Sequence, residues 1–478
     1  MMKRKRTDLT WWEPFKKWIQ SNGGFVHSNI ELSEDRELFC EEKVDPHTVI
    51  LKIPATCLIT LERATKSAPW LVKAVDAISP SALYSEAADV LIALFLACQS
   101  PKELPYLDSL PDSVSFDALP RRWSESQLES YLAGSPLMSR VVKARTGVQA
   151  DYDAVRQAYE NTATDEKAHS FPSFEAFSDM LATVSSRAFG IGNHDDNSSS
   201  MVALLDLCNH SRGKGDKKNL SYQWNEEDGC VQVTSTDMID AGGLLQITYG
   251  ARGNGQLLLN YGFAIPNNLE PDNSSNDVLE FGVGDSTVIE LRTGPKSYTY
   301  GGFVKALESF YKTDNILEGG LDDEEEGEDD MEAFLDGCDL QEEQDIYGDD
   351  GAGEDDEGED DMGEEDTQNE IEALAAFRKA LEGAIKVYKL QGDELRDALN
   401  LPPGTPGYHA ALVVQSEHRT INFFLRSIEK VVALLKKSEA AATCAEANMS
   451  KEDAQLVEQQ TEELAQAFIK IRHSDGFL

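Results

Sequence analysis

Between residues 25 and 62 the chain alternates short runs rich in β-branched and aromatic residues with turn formers: LFCEEKV, then TVILKIP, then CLITL. Runs of that length bounded by polar turn residues predict strands. Over 81–100 the spacing changes, with Leu83, Ala87, Val90, Leu91, Leu94 and Phe95 recurring at helical intervals. Further helical stretches are predicted at about 124–133, 150–160 and 173–188. From Met201 the strand pattern returns in MVALLDL, LSYQWN, CVQVTST and LLQITYG. After an N-terminal tail or helix over 1–20, the pattern predicts an α+β domain over 21–270. Its fold of short strands carries a helical insertion at about 80–200.

Residues 271–320 begin a C-terminal region in which VLEFGVG and STVIELR read as a hairpin. Amphipathic patterns at 369–391, 411–437 and 451–472 predict a mainly α-helical C-terminal domain over 369–478, with LPPGTPGYH at 401–409 separating the first two helices. Between hairpin and helices lies an acidic, glycine-rich segment, about 321–368, whose apolar content is too low to offset chain entropy, so disorder is expected there. It lacks the glycine and glutamate spacing of a calcium-binding loop.

Charge sharpens this division. Of a net −43, the 26 acidic residues of 322–366, unmatched by any Lys or Arg, account for the larger part and leave −17 for the remaining chain. Such a surface disfavours direct nucleic-acid binding, which needs clustered cations, and favours a basic protein partner such as a ribosomal protein or histone. At 478 residues the chain exceeds what one core accommodates, so two domains are expected. Seven scattered cysteines without a C-x-x-C pair argue against a sequence-local zinc cluster or a dense disulfide framework, and suit a reducing compartment. The longest purely apolar run, Val90 to Cys98, is far short of a membrane span. MMKRKRTD has no hydrophobic region behind it and reads as no secretory signal; Lys3–Arg6 reads as a solvated basic tail or, alternatively, a nuclear localisation patch. The expected setting is cytoplasmic or nuclear, the expected state a monomer.

Two stretches bear chemistry. LLDLCNHSRG, 204–213, crowds Asp206, Cys208, Asn209 and His210 into five positions. A Cys–His nucleophile needs the imidazole placed to take the thiol proton and a third group to orient it; a lone Cys inside LLDLC is more often a small buried hydrophobe. No second Cys/His pair with ligand spacing is present, so no metal is expected. In LLQITYGARGNGQLLLNYGF, 244–263, a strand over Leu244–Tyr249 ends at Gly250. Asn254 is suited to cap the helix that follows, and Tyr261 and Phe263 flank Gly262. GARGNG lacks the G-K-[ST] ending of a phosphate loop.

Taken together, DLCNH and, some 40 residues later, ITYG-x-x-x-N-x-x-LLLNYGF resemble the SET-domain protein methyltransferases. LPYLDSLP at 104–111 and SSRAFG at 185–190 are similar to elements of the Rubisco large-subunit methyltransferase-like branch, which carries a helical insertion. SEHRTINFFLRSIEKVVALL resembles part of that branch's substrate-binding domain. The resemblance implies S-adenosylmethionine as cofactor and a protein lysine side chain as acceptor. It implies cofactor-binding roles for Arg187, Asn209, His210 and Phe263, with Asp206 and Cys208 supporting them and Arg187 meeting the cofactor carboxylate. Tyr249 becomes the catalytic tyrosine, and Phe189 and Tyr261 line the substrate pocket. Phe189 stands where a histidine-methylating member of the branch carries asparagine, which favours lysine. Where the family carries G-x-G, residues 34–40 read EDRELFC, and glycine is the residue that permits close backbone approach. Histidine methylation, and a non-catalytic module recruiting a basic protein, are the alternatives.

Overall fold

The computed structural model describes residues 9–102, 104–112, 115–162, 170–191, 199–213, 215, 217–283, 287–294, 296–318, 364–436 and 451–475. Residues 322–363 of the acidic segment and the Lys3–Arg6 patch therefore lie outside the described residues.

Strands β1 (Phe25–Val26), β2 (Ile30–Leu32), β3 (Leu38–Cys40), β4 (Val49–Pro54) and β5 (Leu58–Thr60) follow helix α1 (Trp12–Ser21). Helices α2 (Leu61–Ser67), α3 (Pro69–Val75), α4 (Ala87–Ala97), α5 (Glu125–Leu132), α6 (Pro136–Thr162) and α7 (Phe174–Arg187) come next. The β fold resumes with β6 (Ala188–Gly190), β7 (Ser199–Val202), β8 (Asn209–His210), β9 (Leu220–Asn225), β10 (Cys230–Ser235) and β11 (Gln246–Ile247). Helix α8 (Asn254–Tyr261) precedes β12 (Val278–Val283), β13 (Thr287–Arg292) and the helices α9 (Lys296–Glu318), α10 (Glu364–Lys386), α11 (Gly392–Leu399), α12 (Pro406–Leu435) and α13 (Lys451–Asp475). The expected α+β architecture is present, its helical insertion lying between β5 and β6.

Strands from both sides of the insertion pair with each other. One sheet has the order β1-β4-β10-β9 and another β5-β7-β6, while β2-β3 and β12-β13 form two-stranded sheets. In β4 the run TVILKIP buries Ile50, Leu51 and Ile53 beside β10, which pairs with it antiparallel from Cys230↔Pro54. Helix α4 is buried all round from Val90 to Leu96, as befits a helix without a polar face.

By contact the chain divides into two units. The first comprises 1–281, 290–299 and 383–423; the second comprises 282–289, 300–382 and 424–478. Residues 383–423 thus fall with the β fold: Ala410, Leu412 and Val413 of α12 share a core cluster with Trp123, Leu137 and Leu258. The second unit is organised around Phe303, whose ring lies 6.1 Å from Phe377, 6.2 Å from Phe424 and 5.7 Å from Phe468. There the ammonium of Lys430 is held by Glu458 at 2.7 Å and Glu462 at 3.3 Å.

Candidate active site

The run MVALLDL stops being a strand at Val202. Leu204 takes φ +69° and ψ −44°, a positive-φ conformation rare for a branched side chain, and turns the chain into Leu205–Leu207. Complete burial of Leu204 holds it there. Cys208 then leads into β8, which pairs in parallel with β11, Asn209 opposite Gln246 and His210 opposite Ile247. That pairing brings the two chemistry-bearing stretches of the sequence side by side.

Four rings meet at the junction. The main-chain N–H of Tyr249 donates to Nδ1 of His210 at 2.9 Å, and the two rings lie 5.0 Å apart. Tyr261 stacks on Tyr249 at 5.0 Å and 22°. Phe263 closes the circuit, 6.1 Å from Tyr261 and 6.4 Å from His210. Gly262, between the last two aromatics, adopts φ +80° at the end of α8, and a Cβ there would sit 3.0 Å from that of Ala118. Only glycine meets both conditions. The Tyr249 hydroxyl donates to the Cys208 carbonyl at 2.8 Å. Burial pushes the phenols of Tyr249 and Tyr261 above their ordinary range, Arg252 opposing the shift at Tyr261.

Arg187, the last residue of α7, aims its guanidinium at the main-chain carbonyl of Asp206 and lies 3.6 Å from that residue's carboxylate. Asp206 is buried, as is Tyr106 of the LPYLDSLP element. Nε of Arg187 has no hydrogen-bond partner among the described residues, while the Tyr106 hydroxyl and the Asp206 carboxylate act on each other in the buried interior. Burial raises the Asp206 carboxyl above the carboxylate range, the Arg187 charge opposing it; burial, then Asp206, drives the Tyr106 phenol well up. Cys208 is 1% exposed, and burial pushes its thiol pKa far above the ordinary range, so it has neither thiolate character nor access.

The glycine-free stretch 34–40 supplies most of the β2–β3 turn and then β3 itself, and Arg36 takes the positive φ, +66°. Its guanidinium is anchored on the Ser109 carbonyl at 2.5 Å and lies over Trp11 at 5.2 Å, a cation–π contact. Glu37 accepts a hydrogen bond from the Asn209 side-chain amide at 2.7 Å. The sequence assigns no role to Glu37 or Tyr106; the first lies in the stretch noted only for its absent glycines, and the second inside the LPYLDSLP motif. Phe189, on β6, meets Tyr222 edge-to-face at 5.5 Å. Asn254 is the first residue of α8, after Gly253, rather than its cap; its main-chain N–H and side chain both engage the buried Asp277.

Split sheets of short strands with a helical insertion match solved SET-domain structures, and the resemblance read from the sequence is borne out at the level of the fold. The SET domain of LSMT bound to lysine and AdoHcy superposes with a TM-score of 0.62 at 17% identity, covering 91% of this chain and 94% of that one. Rubisco LSMT bound to AdoMet gives a TM-score of 0.58 at 17% identity, over 93% and 98% of the two chains. In sequence the chain is similar to the actin-histidine N-methyltransferase of Gallus gallus, 25% identical over 288 residues, 56% of this chain and 44% of that protein. It is also similar to N-lysine methyltransferase setd6 of Danio rerio, 28% identical over 178 residues, 34% of this chain and 37% of that protein. The chain thus spans less than half the length of either relative. No profile of a known protein family matches it.

Proposed function

We propose that the chain is an S-adenosylmethionine-dependent protein methyltransferase whose acceptor is a lysine side chain. The observation that carries this reading is the four-ring circuit around Tyr249, with its hydroxyl on the Cys208 carbonyl and Arg187 at the other end of the same segment. The residues suit the cofactor: the Arg187 side chain, 26% exposed, and half-exposed Asn209 offer donors to an amino-acid carboxylate, and the aromatic edges offer apolar surface.

When bound, S-adenosylmethionine supplies a methyl group already activated on a sulfonium, so the protein's task is positioning. The Tyr249 hydroxyl donates its hydrogen bond to the Cys208 carbonyl, which leaves the phenol oxygen's lone pairs to accept a weak C–H···O contact. Tyr261 and Phe263 exclude water from the line of approach. An ammonium entering between such rings is desolvated, which lowers its pKa and favours the neutral, nucleophilic amine. Cys208 plays no chemical part.

Lysine is favoured over histidine by Phe189, an aromatic where a histidine-methylating member of the branch carries asparagine; the similarity to an N-lysine methyltransferase is compatible with it but does not choose. The similarity to an actin-histidine enzyme keeps histidine as the second reading. Titration calorimetry with S-adenosylmethionine tests the enzyme: binding heat is expected, and its absence at high protein concentration would leave a non-catalytic module. Labelling a hypomethylated extract with tritiated cofactor, followed by amino-acid analysis of the labelled protein, is expected to yield methyl-lysine; methyl-histidine would reverse the acceptor assignment. The acidic segment serves in this proposal to attract a basic substrate. Deleting 322–366 should slow turnover of a basic peptide at low ionic strength but not at high, and unchanged rates at both would reduce the segment to a linker.

A further inference from the structure

We infer that Glu37 is a ligand for the α-ammonium group of the cofactor, the anionic half of a two-charge clamp whose cationic half is Arg187. The inference rests on the methyltransferase reading above and adds a residue and a charge to it.

The hairpin turn that carries Glu37 is fixed at several points. Ser33 accepts the main-chain N–H of Arg36 at 2.9 Å through its carbonyl and that of Glu37 at 3.1 Å through Oγ. Its own N–H reaches the Glu37 carbonyl at 2.9 Å. The guanidinium of Arg36, on the Ser109 and Leu110 carbonyls at 2.5 and 3.4 Å, ties the turn to the LPYLDSLP element. Glu37 is therefore held where its carboxylate meets Asn209 at 2.7 Å.

Asn209 lies three positions after Asp206, whose main-chain carbonyl and carboxylate hold Arg187. A single short segment, 206–209, thus anchors a guanidinium at one end and a carboxylate at the other. Both remain reachable: Glu37 is half-buried, and the Arg187 side chain is 26% exposed. The cofactor's amino-acid end carries an ammonium and a carboxylate on one carbon, and one anion beside one cation is the complement of that zwitterion. Asn209 occupies one of about four acceptor sites that a carboxylate offers, so the bond seen does not exhaust Glu37. A glycine at 37 would admit a ligand to the backbone alone; the side chain present replaces close approach with charge.

Calorimetry with S-adenosylhomocysteine and its analogue lacking the α-amino group tests this on wild-type protein and Glu37→Gln. Wild type is expected to bind the amino compound about ten- to hundredfold more tightly than the analogue. Glu37→Gln should lose about that factor for the amino compound, change little for the analogue, and keep the wild-type melting temperature without ligand. Equal affinity of wild type for both compounds would overturn the inference whatever the variant does. So would a variant that still discriminates, or one that binds more tightly because Glu37 had been obstructing the site. Failure of wild type to bind either compound would instead bring down the methyltransferase reading, and the inference with it.

Discussion

Tyr249 and His210, 39 positions apart, are joined by a bond that runs from main chain to ring: the Tyr249 N–H donates to His210 Nδ1 at 2.9 Å. With Nδ1 accepting, the neutral imidazole carries its proton on Nε2. The ring therefore sets where the central tyrosine begins. His210→Ala should cost about 1–3 kcal/mol of transition-state stabilisation, roughly ten- to hundredfold in rate, because a main-chain donor loses its acceptor. Turnover under saturating cofactor checks this, with the melting temperature as a control on folding. Wild-type turnover in the alanine variant would sever the link between ring and tyrosine.

The Tyr249 hydroxyl reaches the Cys208 carbonyl at 2.8 Å, so Tyr249→Phe removes one oxygen and one hydrogen bond while keeping the stacked ring. Methyl transfer should fall by about a hundredfold, with cofactor affinity changed far less. Single-turnover transfer from labelled cofactor measures it, and an undiminished rate would displace Tyr249 from the centre of the chemistry.

Cys208 should behave as filling. Its thiol is buried and held protonated by that burial, so iodoacetamide should leave it unmodified in the folded protein while labelling it after denaturation, as read by peptide mass spectrometry. Cys208→Ala should retain most activity at a stability cost of about 1 kcal/mol. Activity abolished with the fold intact would restore a chemical role to the thiol.

Glu417 and His418 give opposite pH signatures from adjacent positions of α12. Burial raises the Glu417 carboxyl to about 8 and lowers His418 to about 4. The folded state holds the Glu417 proton that the unfolded chain has released, so stability from this group falls as pH rises from about 4.5 to about 8. For His418 the unfolded chain holds the extra proton, so stability rises from about 4 to 6.5. The two oppose each other up to about pH 6.5, and above it the fall alone remains, at most about 1.4 kcal/mol per pH unit. Denaturant melts at pH 5, 6.5 and 8 should show that fall in wild type and its loss in Glu417→Gln. A variant as pH-sensitive as wild type between 6.5 and 8 would refute the assignment.

The strands LSYQWN and CVQVTST were legible because each is long enough to alternate and is bounded by turn residues; they appear as Leu220–Asn225 and Cys230–Ser235. The run Leu244–Tyr249 is a strand over Gln246–Ile247, whose parallel partner is itself two residues long, and Leu244 bridges separately to Phe39. Nothing local announced that Leu204 would take a positive φ and end its strand early. At the site, the rings of His210, Tyr249, Tyr261 and Phe263 and the Arg187 cation sat within recognisable motifs. Glu37 sat in the stretch marked only by its missing glycines, and its role was not legible there because it meets Asn209 across 172 positions, and no periodicity spans such a distance. Asn254 was read as a helix cap from its residue type, and Asp277, 23 positions downstream, is what engages it instead.

The pairing of β4 with β10 carries a consequence for how the protein is made. Pro54 finds Cys230 as its partner, 176 positions later. On a ribosome adding about 5–20 residues per second, the apolar face of Val49–Pro54 waits roughly ten to forty seconds for its neighbour to emerge. Through that interval a strand flanked only by the two residues of β1 on its other edge, with three buried-to-be side chains, Ile50, Leu51 and Ile53, stands open to other chains. The helical insertion that separates the two halves of the sheet thus sets a clock on synthesis, and the yield of native protein should depend on chaperone supply more than on the stability of the finished fold.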